Sequence, residues 1–144
     1  MKRALWAIAA IVVLVAAAWG GVAWRHHATF GTIAGEDRTT LTVDRGDRIS
    51  LAVPDRGSSV GDSWSARVSP DGVLSPVDNR KVMGNIVDRI FGPQIGGGGG
   101  TRYFVYDADH AGTAAVTLSN CFQGCDHPTK SAESRSVTWT ITVR

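Results

Sequence analysis

The sequence predicts an all-β protein: an antiparallel β-sandwich preceded by one N-terminal transmembrane helix or signal segment. Three observations carry that expectation. Apolar and polar residues alternate with period two over several short runs after residue 30. Clusters of Pro, Gly, Asp and Ser separate those runs, and the start of the chain holds one long stretch without charge. No amphipathic helical pattern and no internal repeat interrupts the scheme.

Lys2 and Arg3 open the chain, and Ala4 to Trp24 then runs uncharged up to Arg25. A helix of that length spans about 31 Å, matching the hydrocarbon core of a bilayer. Trp6, Trp19 and Trp24 lie towards its ends, where indole rings favour the membrane interface. Residues 1–30 are therefore expected to be a membrane anchor or signal segment. The run is long for the apolar region of a cleaved signal, while Ala16-Ala17-Ala18 and Val22-Ala23 offer small residues for cleavage. The basic start puts the N-terminus in the cytoplasm. Residues 31–144 are thus expected outside it, either anchored to the membrane or secreted.

That part amounts to about 115 residues, enough for one domain with a single core. Thr40-Leu41-Thr42-Val43 is its first alternating run, and Asp44-Arg45-Gly46-Asp47 is turn-like. Ile49, Leu51 and Val53 then share one face. Trp64 to Val68, a weaker Val73 to Val77, Arg102 to Tyr106 and Ala114 to Asn120 follow. In the last run Val137, Trp139, Ile141 and Val143 alternate with Thr138, Thr140 and Thr142. Such runs suit half-buried strands, apolar side chains inward and β-branched polar ones outward. About seven short strands of this kind predict a sandwich. Asn85 to Ile95 fits a strand or a short helical turn equally.

The net charge is +2, with basic residues dispersed among acidic ones (Glu36, Asp37, Arg38; Asp44, Arg45; Asp47, Arg48). No basic face is present, which excludes nucleic acid as a partner. The excess of arginine over lysine, with abundant Ala, Gly and Val, suits a GC-rich bacterial genome. Catalytic chemistry has little to build on. The chain has 4 histidines, two of them (His26, His27) beside the apolar run. It carries no Gly-x-Ser-x-Gly elbow, paired-carboxylate motif or His-Glu-x-x-His. His110, in "DADHAGT", is expected to be a turn histidine. The sequence implies no enzyme and no cofactor.

Gly96 to Gly100 is not a phosphate loop, because the Lys and Ser/Thr that complete one are missing and a strand follows. It leads directly into Thr101-Arg102-Tyr103-Phe104-Val105-Tyr106, which puts flexible backbone at one end of the sandwich. Cys121 and Cys125 are the 2 cysteines of the chain. With His127 they would make an incomplete metal set, short of a fourth ligand. A redox pair would have Cys-x-x-Cys at a helix start. In an exported domain the remaining reading is a disulfide. It closes a small ring, worth about 2 kcal/mol, and mainly shapes Phe122-Gln123-Gly124. Such a clip either pre-forms a recognition loop or tames a long hairpin.

Three stretches resemble the chagasin-type inhibitors of papain-like cysteine proteases, over most of Thr39 to Val143. In "LTVDRGDRISLAVPDRGSSVGDSW", Gly57-Ser58-Ser59-Val60-Gly61 precedes Asp62-Ser63-Trp64. Family members carry Asn-Pro-Thr-Thr-Gly there, with Trp shortly after. Gly61 and Trp64 keep the Gly-x-x-Trp frame and Ser59 supplies a hydroxyl, whereas the Asn-Pro pair is absent. Gly97-Gly98-Gly99-Gly100-Thr101 is similar to the family's second loop, Gly-x-Gly-Gly-Thr before an aromatic strand. "HAGTAAVTLSN" is similar to the strand before the third loop, where Phe122-Gln123-Gly124 replaces Arg-Pro-Trp.

The resemblance implies an immunoglobulin-like sandwich whose function is to occupy a protease cleft without being cut. Ser58, Ser59, Val60, Gly61 and Asp62 would approach the catalytic cysteine, with Trp64 at the exit of that loop. Gly97, Gly98, Gly99 and Gly100 would line one wall. Phe122, Gln123 and Gly124, clipped by Cys121 and Cys125, would rest on the other, Phe122 as an exposed aromatic. The rival expectation is a non-catalytic cell-envelope binding or assembly module that uses the same sandwich for another protein.

Overall fold

The computed structural model describes residues 20–21, 28–84, 99–124 and 133–144. Among them eight strands form: β1 (Thr32–Ala34), β2 (Thr40–Val43), β3 (Arg48–Asp55), β4 (Trp64–Ser69), β5 (Leu74–Met83), β6 (Gly100–Ala108), β7 (Gly112–Asn120) and β8 (Arg135–Val143). They build two four-stranded sheets with strand orders β1-β3-β6-β5 and β2-β8-β7-β4.

The alternation seen in the sequence is what closes these sheets on each other. Ile49, Leu51 and Val53 of β3, Phe104 and Tyr106 of β6, Val116 and Leu118 of β7, and Trp139 and Ile141 of β8 are all buried in one core cluster. Trp139 is completely buried, and its Nε1 donates to the Gly35 carbonyl at 3.1 Å. The indole therefore fills the core and still satisfies its one polar atom. On the outer face of β7–β8 the pairs Thr117–Thr138 (2.9 Å) and Ser119–Ser136 (2.8 Å) link hydroxyls across the strands.

The sandwich is not purely antiparallel as expected. β1 runs parallel to β3, and β2 parallel to β8. The chain leaves β1 at Ala34, crosses the sandwich edge and joins the other sheet as β2, so each short strand adds to an edge instead of folding back as a hairpin. Three residues are too few for β1 to show a period-two pattern. β5 is also longer than the weak run at Val73–Val77 predicts, reaching Met83 through Asp78, Asn79, Arg80 and Lys81. It pairs only with β6, and its register shifts between Pro76 and Asp78. An edge strand tolerates proline and charge where a central one does not. Pro54 of β3 is accommodated on the same logic, since the pairing with β1 has ended by Leu51.

Ala28–Phe30 form a helical turn, and Phe30 is buried with its ring centroid 4.6 Å from that of Tyr103. Ser50 Oγ donates to the Phe30 carbonyl at 2.6 Å. No helix among the described residues is long and apolar enough to cross a membrane. Apart from Gly20 and Gly21, the uncharged run Ala4–Trp24 lies outside the described residues, as does Asn85–Ile95.

Candidate functional site

Strand register brings three connections to one pole. Asp55, at the end of β3, pairs with Gly100 at the start of β6, and Gly100 pairs with Met83 at the end of β5. In the other sheet Trp64, Asn120 and Arg135 occupy one row across β4, β7 and β8. The β3–β4 connection (loop 1, 56–63), the β5–β6 connection (loop 2, 84–99) and the β7–β8 connection (loop 3, 121–134) therefore all leave from the same end.

Loop 1 is a 3-10 turn, Ser58–Val60, between Gly57 and Gly61. The Gly57 carbonyl accepts from the amides of Val60 (3.2 Å) and Asp62 (3.1 Å), drawing the loop into a tight knuckle. Ser58, Ser59 and Val60 are exposed at its tip, Val60 by 42%. Gly61 is left-handed, φ 99° and ψ 4°, and a Cβ there would meet Gln123 Cγ at 2.9 Å and Gln123 N at 3.1 Å. Glycine at this position thus serves both the turn and the close approach of loop 3.

Asp62 differs from its expected role. Its side chain is 2% exposed, so the carboxylate is not offered to a partner; it organises the loop. It accepts from Arg56 N (2.8 Å), Arg56 Nη2 (2.9 Å) and Asn120 Nδ2 (3.1 Å). Burial alone pushes its pKa up, but the hydrogen bonds from Arg56 and Asn120 outweigh it and hold the carboxyl at about 2. Asn120 also accepts from Ser63 N at 3.0 Å through Oδ1. A buried polar pair of this kind persists only when each group is partnered, and here both are.

Loop 3 packs against loop 1 by main-chain bonds. Gln123 N donates to the Gly61 carbonyl (2.8 Å) and Cys121 N to the Ser63 carbonyl (2.9 Å). Gln123 has φ 59°, and Gln123 and Gly124 are exposed. Phe122 is not the free aromatic expected at the tip. It is half-buried, with the Arg56 guanidinium 4.8 Å from its ring centroid and its amide held by Ser134 Oγ at 3.0 Å. The cation lies over one face of the ring. Cys121 carries no free thiol; Cys125, its expected partner, lies outside the described residues.

Of the glycines expected in loop 2, Gly97 and Gly98 lie outside the described residues. Gly99 accepts from Gly84 N at 3.1 Å, and a Cβ on Gly100 would lie 2.4 Å from the Val82 carbonyl oxygen. The stem of loop 2 is thereby pinched shut by backbone alone. Buried Asp55 ties it to loop 1: one carboxylate oxygen accepts from Gly57 N at 2.7 Å, and the other from Arg102 Nε of β6. Trp64 is half-buried against the core, with the Arg135 guanidinium 5.3 Å from its ring centroid.

Sequence reasoning missed Arg56, Asp55, Asn120 and Glu133, all of which organise this pole. The signal that could have found the first two is their place at the end of a strong strand, next to the Gly57 loop. His110 lies away from this pole and donates from Nδ1 to the Gly72 carbonyl at 2.9 Å, a turn role. Among the described residues no group of His, Cys, Asp and Glu could hold a metal ion.

No family model and no curated protein sequence matches the chain. Its fold does match solved structures. The cysteine protease inhibitor EhICP2 from Entamoeba histolytica superposes with TM-score 0.59 at 18% identity, over 78% of this chain and 94% of that one. Amebosin gives 0.56 at 20% identity, over 78% and 96%. PbICP-C, solved in complex with falcipain-2, gives 0.53 at 12% identity, over 80% and 92%. The resemblance in the sequence holds at the level of the fold that these neighbours share.

Proposed function

We propose that this chain is a proteinaceous inhibitor of papain-like cysteine proteases that wedges its loop pole into the active-site cleft. The observation that carries the reading is the joining of loops 1 and 3 at one pole of a sandwich whose structural neighbours include cysteine protease inhibitors, one of them solved with a protease. Ser58, Ser59 and Val60 make the leading edge. Gln123 and Gly124 lie beside it, and Gly99 and Gly100 at the stem of loop 2 form the other flank. Binding is steric, through backbone hydrogen bonds and apolar contact, and is favoured because loop 1 and residues 121–124 are already held together. Like neighbours of its fold that are protease inhibitors, the chain acts as a ligand and not as an enzyme.

The Cys121–Cys125 bridge belongs to this reading as the clip on loop 3. So does a position outside the cytoplasm, reached through the apolar N-terminal segment as anchor or signal. The test is to titrate the full chain, purified in mild detergent, against a papain-like enzyme. Reversible, substrate-competitive inhibition with the chain left uncut is expected, and full protease activity at high micromolar chain would overturn the proposal. One observation favours the rival reading of an envelope binding module: Phe122 lies under Arg56 and not at the tip. Capture of a stable non-protease partner that Val60→Asp abolishes would decide for it.

A further inference from the structure

Arg56 follows buried Asp55 at the exit of β3 and touches both ends of loop 1 and both stems of loop 3. Its Nη2 and Nε donate to the two oxygens of Asp62 at 2.9 and 3.3 Å, and its backbone amide adds a third bond to the same carboxylate. That closes loop 1 on itself. On its other side Nη1 donates to Glu133 Oε2 at 2.6 Å, on the far stem of loop 3. The plane of the guanidinium covers Phe122 on the near stem. Only an arginine can do this from one position. Its planar fork presents donors on separate edges and a flat face at once, whereas a lysine ammonium is a single point with no face.

Among the described residues, main-chain bonds also join the loops, from Gln123 N to Gly61 O and from Cys121 N to Ser63 O. Such bonds at an exposed pole open readily unless side chains hold the two backbones in register. The clamp is anchored from below as well, because Asp62 is also held by Asn120, on the last inward-facing position of β7.

We propose that Arg56 is the positioning residue that makes loop 1 and the described stems of loop 3 (121–124 and 133–134) one rigid body, so that a partner meets both surfaces at a fixed spacing. The proposal deepens the inhibitor reading and rests on it only for the identity of the partner. A pre-formed double surface binds without ordering each loop separately, so losing the clamp should show mainly as faster dissociation.

The experiment is amide hydrogen exchange by NMR on the full chain, comparing the parent with Arg56→Ala, Arg56→Lys and Glu133→Gln. Exchange at Gln123 and Cys121 should rise by roughly tenfold in Arg56→Ala, while the β7–β8 ladder amides keep their rates. Arg56→Lys should behave like the alanine variant. Glu133→Gln, which removes the ion-pair charge on the far stem of loop 3 and keeps the Asp62 and Phe122 contacts, should raise exchange at Gln123 by a smaller factor. Dissociation from a papain-like enzyme should accelerate in the same order. Unchanged exchange at Gln123 would overturn the proposal, and so would an equal rise across the ladder, which would make Arg56 a general stabiliser. If the parent chain fails to inhibit, the inhibitor reading falls while the exchange rates still decide the clamp.

Discussion

Along β7 the inward-facing positions run Ala114, Val116, Leu118 and then Asn120; along β3 they run Ile49, Leu51, Val53 and then Asp55. All eight are buried, yet the last of each series is polar. The same step occurs in β6, where Phe104 gives way to Arg102 beside Val53, and in β8, where Val137 gives way to Arg135 beside Asn120. The middle of the sandwich and its loop pole therefore share one strand geometry and differ in chemistry. Apolar contact in the middle is non-directional and fills volume. At the pole each buried group must find a partner at a set angle, so the polar layer fixes where the loops sit as well as that they are held.

The largest effect expected from this contrast is in the middle. Trp139→Ala removes a completely buried indole and its bond to Gly35, which should cost about 3–5 kcal/mol. Against total stabilities of roughly 5–15 kcal/mol, that is a large share of what holds the fold. Equilibrium denaturation in guanidinium measures it. A loss below about 1 kcal/mol would break the contrast, because the apolar half would then not be what holds the fold.

The apolar half was legible in the sequence for the same reason that it is strong. Val137, Trp139, Ile141 and Val143 announce a buried face without reference to any other strand. The polar half was not, because Asp55, Asn120 and Arg56 look like any solvated residue until strands far apart in the chain are paired. Asp62 sat in a recognised motif and was read as a contact, since nothing local shows that Asn120 and Arg56 turn its carboxylate inward. Phe122 was misplaced for the same reason: its cover comes from Arg56, a residue of another loop. The parallel edges escaped as well, because a sheet switch at Gly35 leaves no pattern in three-residue β1. Gly61, by contrast, has a local backbone cause, its left-handed conformation, that a short motif can carry.

Acid should separate the two halves. Asp62 is held at about 2, below its ordinary 3.8, so the folded state favours the ionised form. Its contribution is complete above the ordinary value and is lost as pH falls through about 2. The pole should therefore lose on the order of 2 kcal/mol between about pH 5 and pH 2. Asp62→Asn should lack that part of the slope. Asp107, also lowered by its bonds from Arg48 at the opposite pole, titrates alike in both proteins and cancels in the comparison. Denaturation at the two pH values checks it, and identical acid losses for parent and variant would mean that the network at the pole adds nothing to stability.

The smallest effect is also the most local. Gly61→Ala forces a side chain into φ 99° and places its Cβ 2.9 Å from Gln123 Cγ, a flexible neighbour that can move, and 3.1 Å from Gln123 N, which cannot without shifting loop 3. The strain should be worth about 1 kcal/mol. Its first victim should be the bond from Gln123 N to Gly61 O, the shortest main-chain link between the loops. Amide shifts should change at Cys121, Phe122 and Gln123 and stay fixed at Val116 and Leu118, two turns of the pleat below. If the shifts instead spread down β7, the polar layer at Asn120 would not insulate the core from the loops, and the two halves of the sandwich would have to be treated as one mechanical unit.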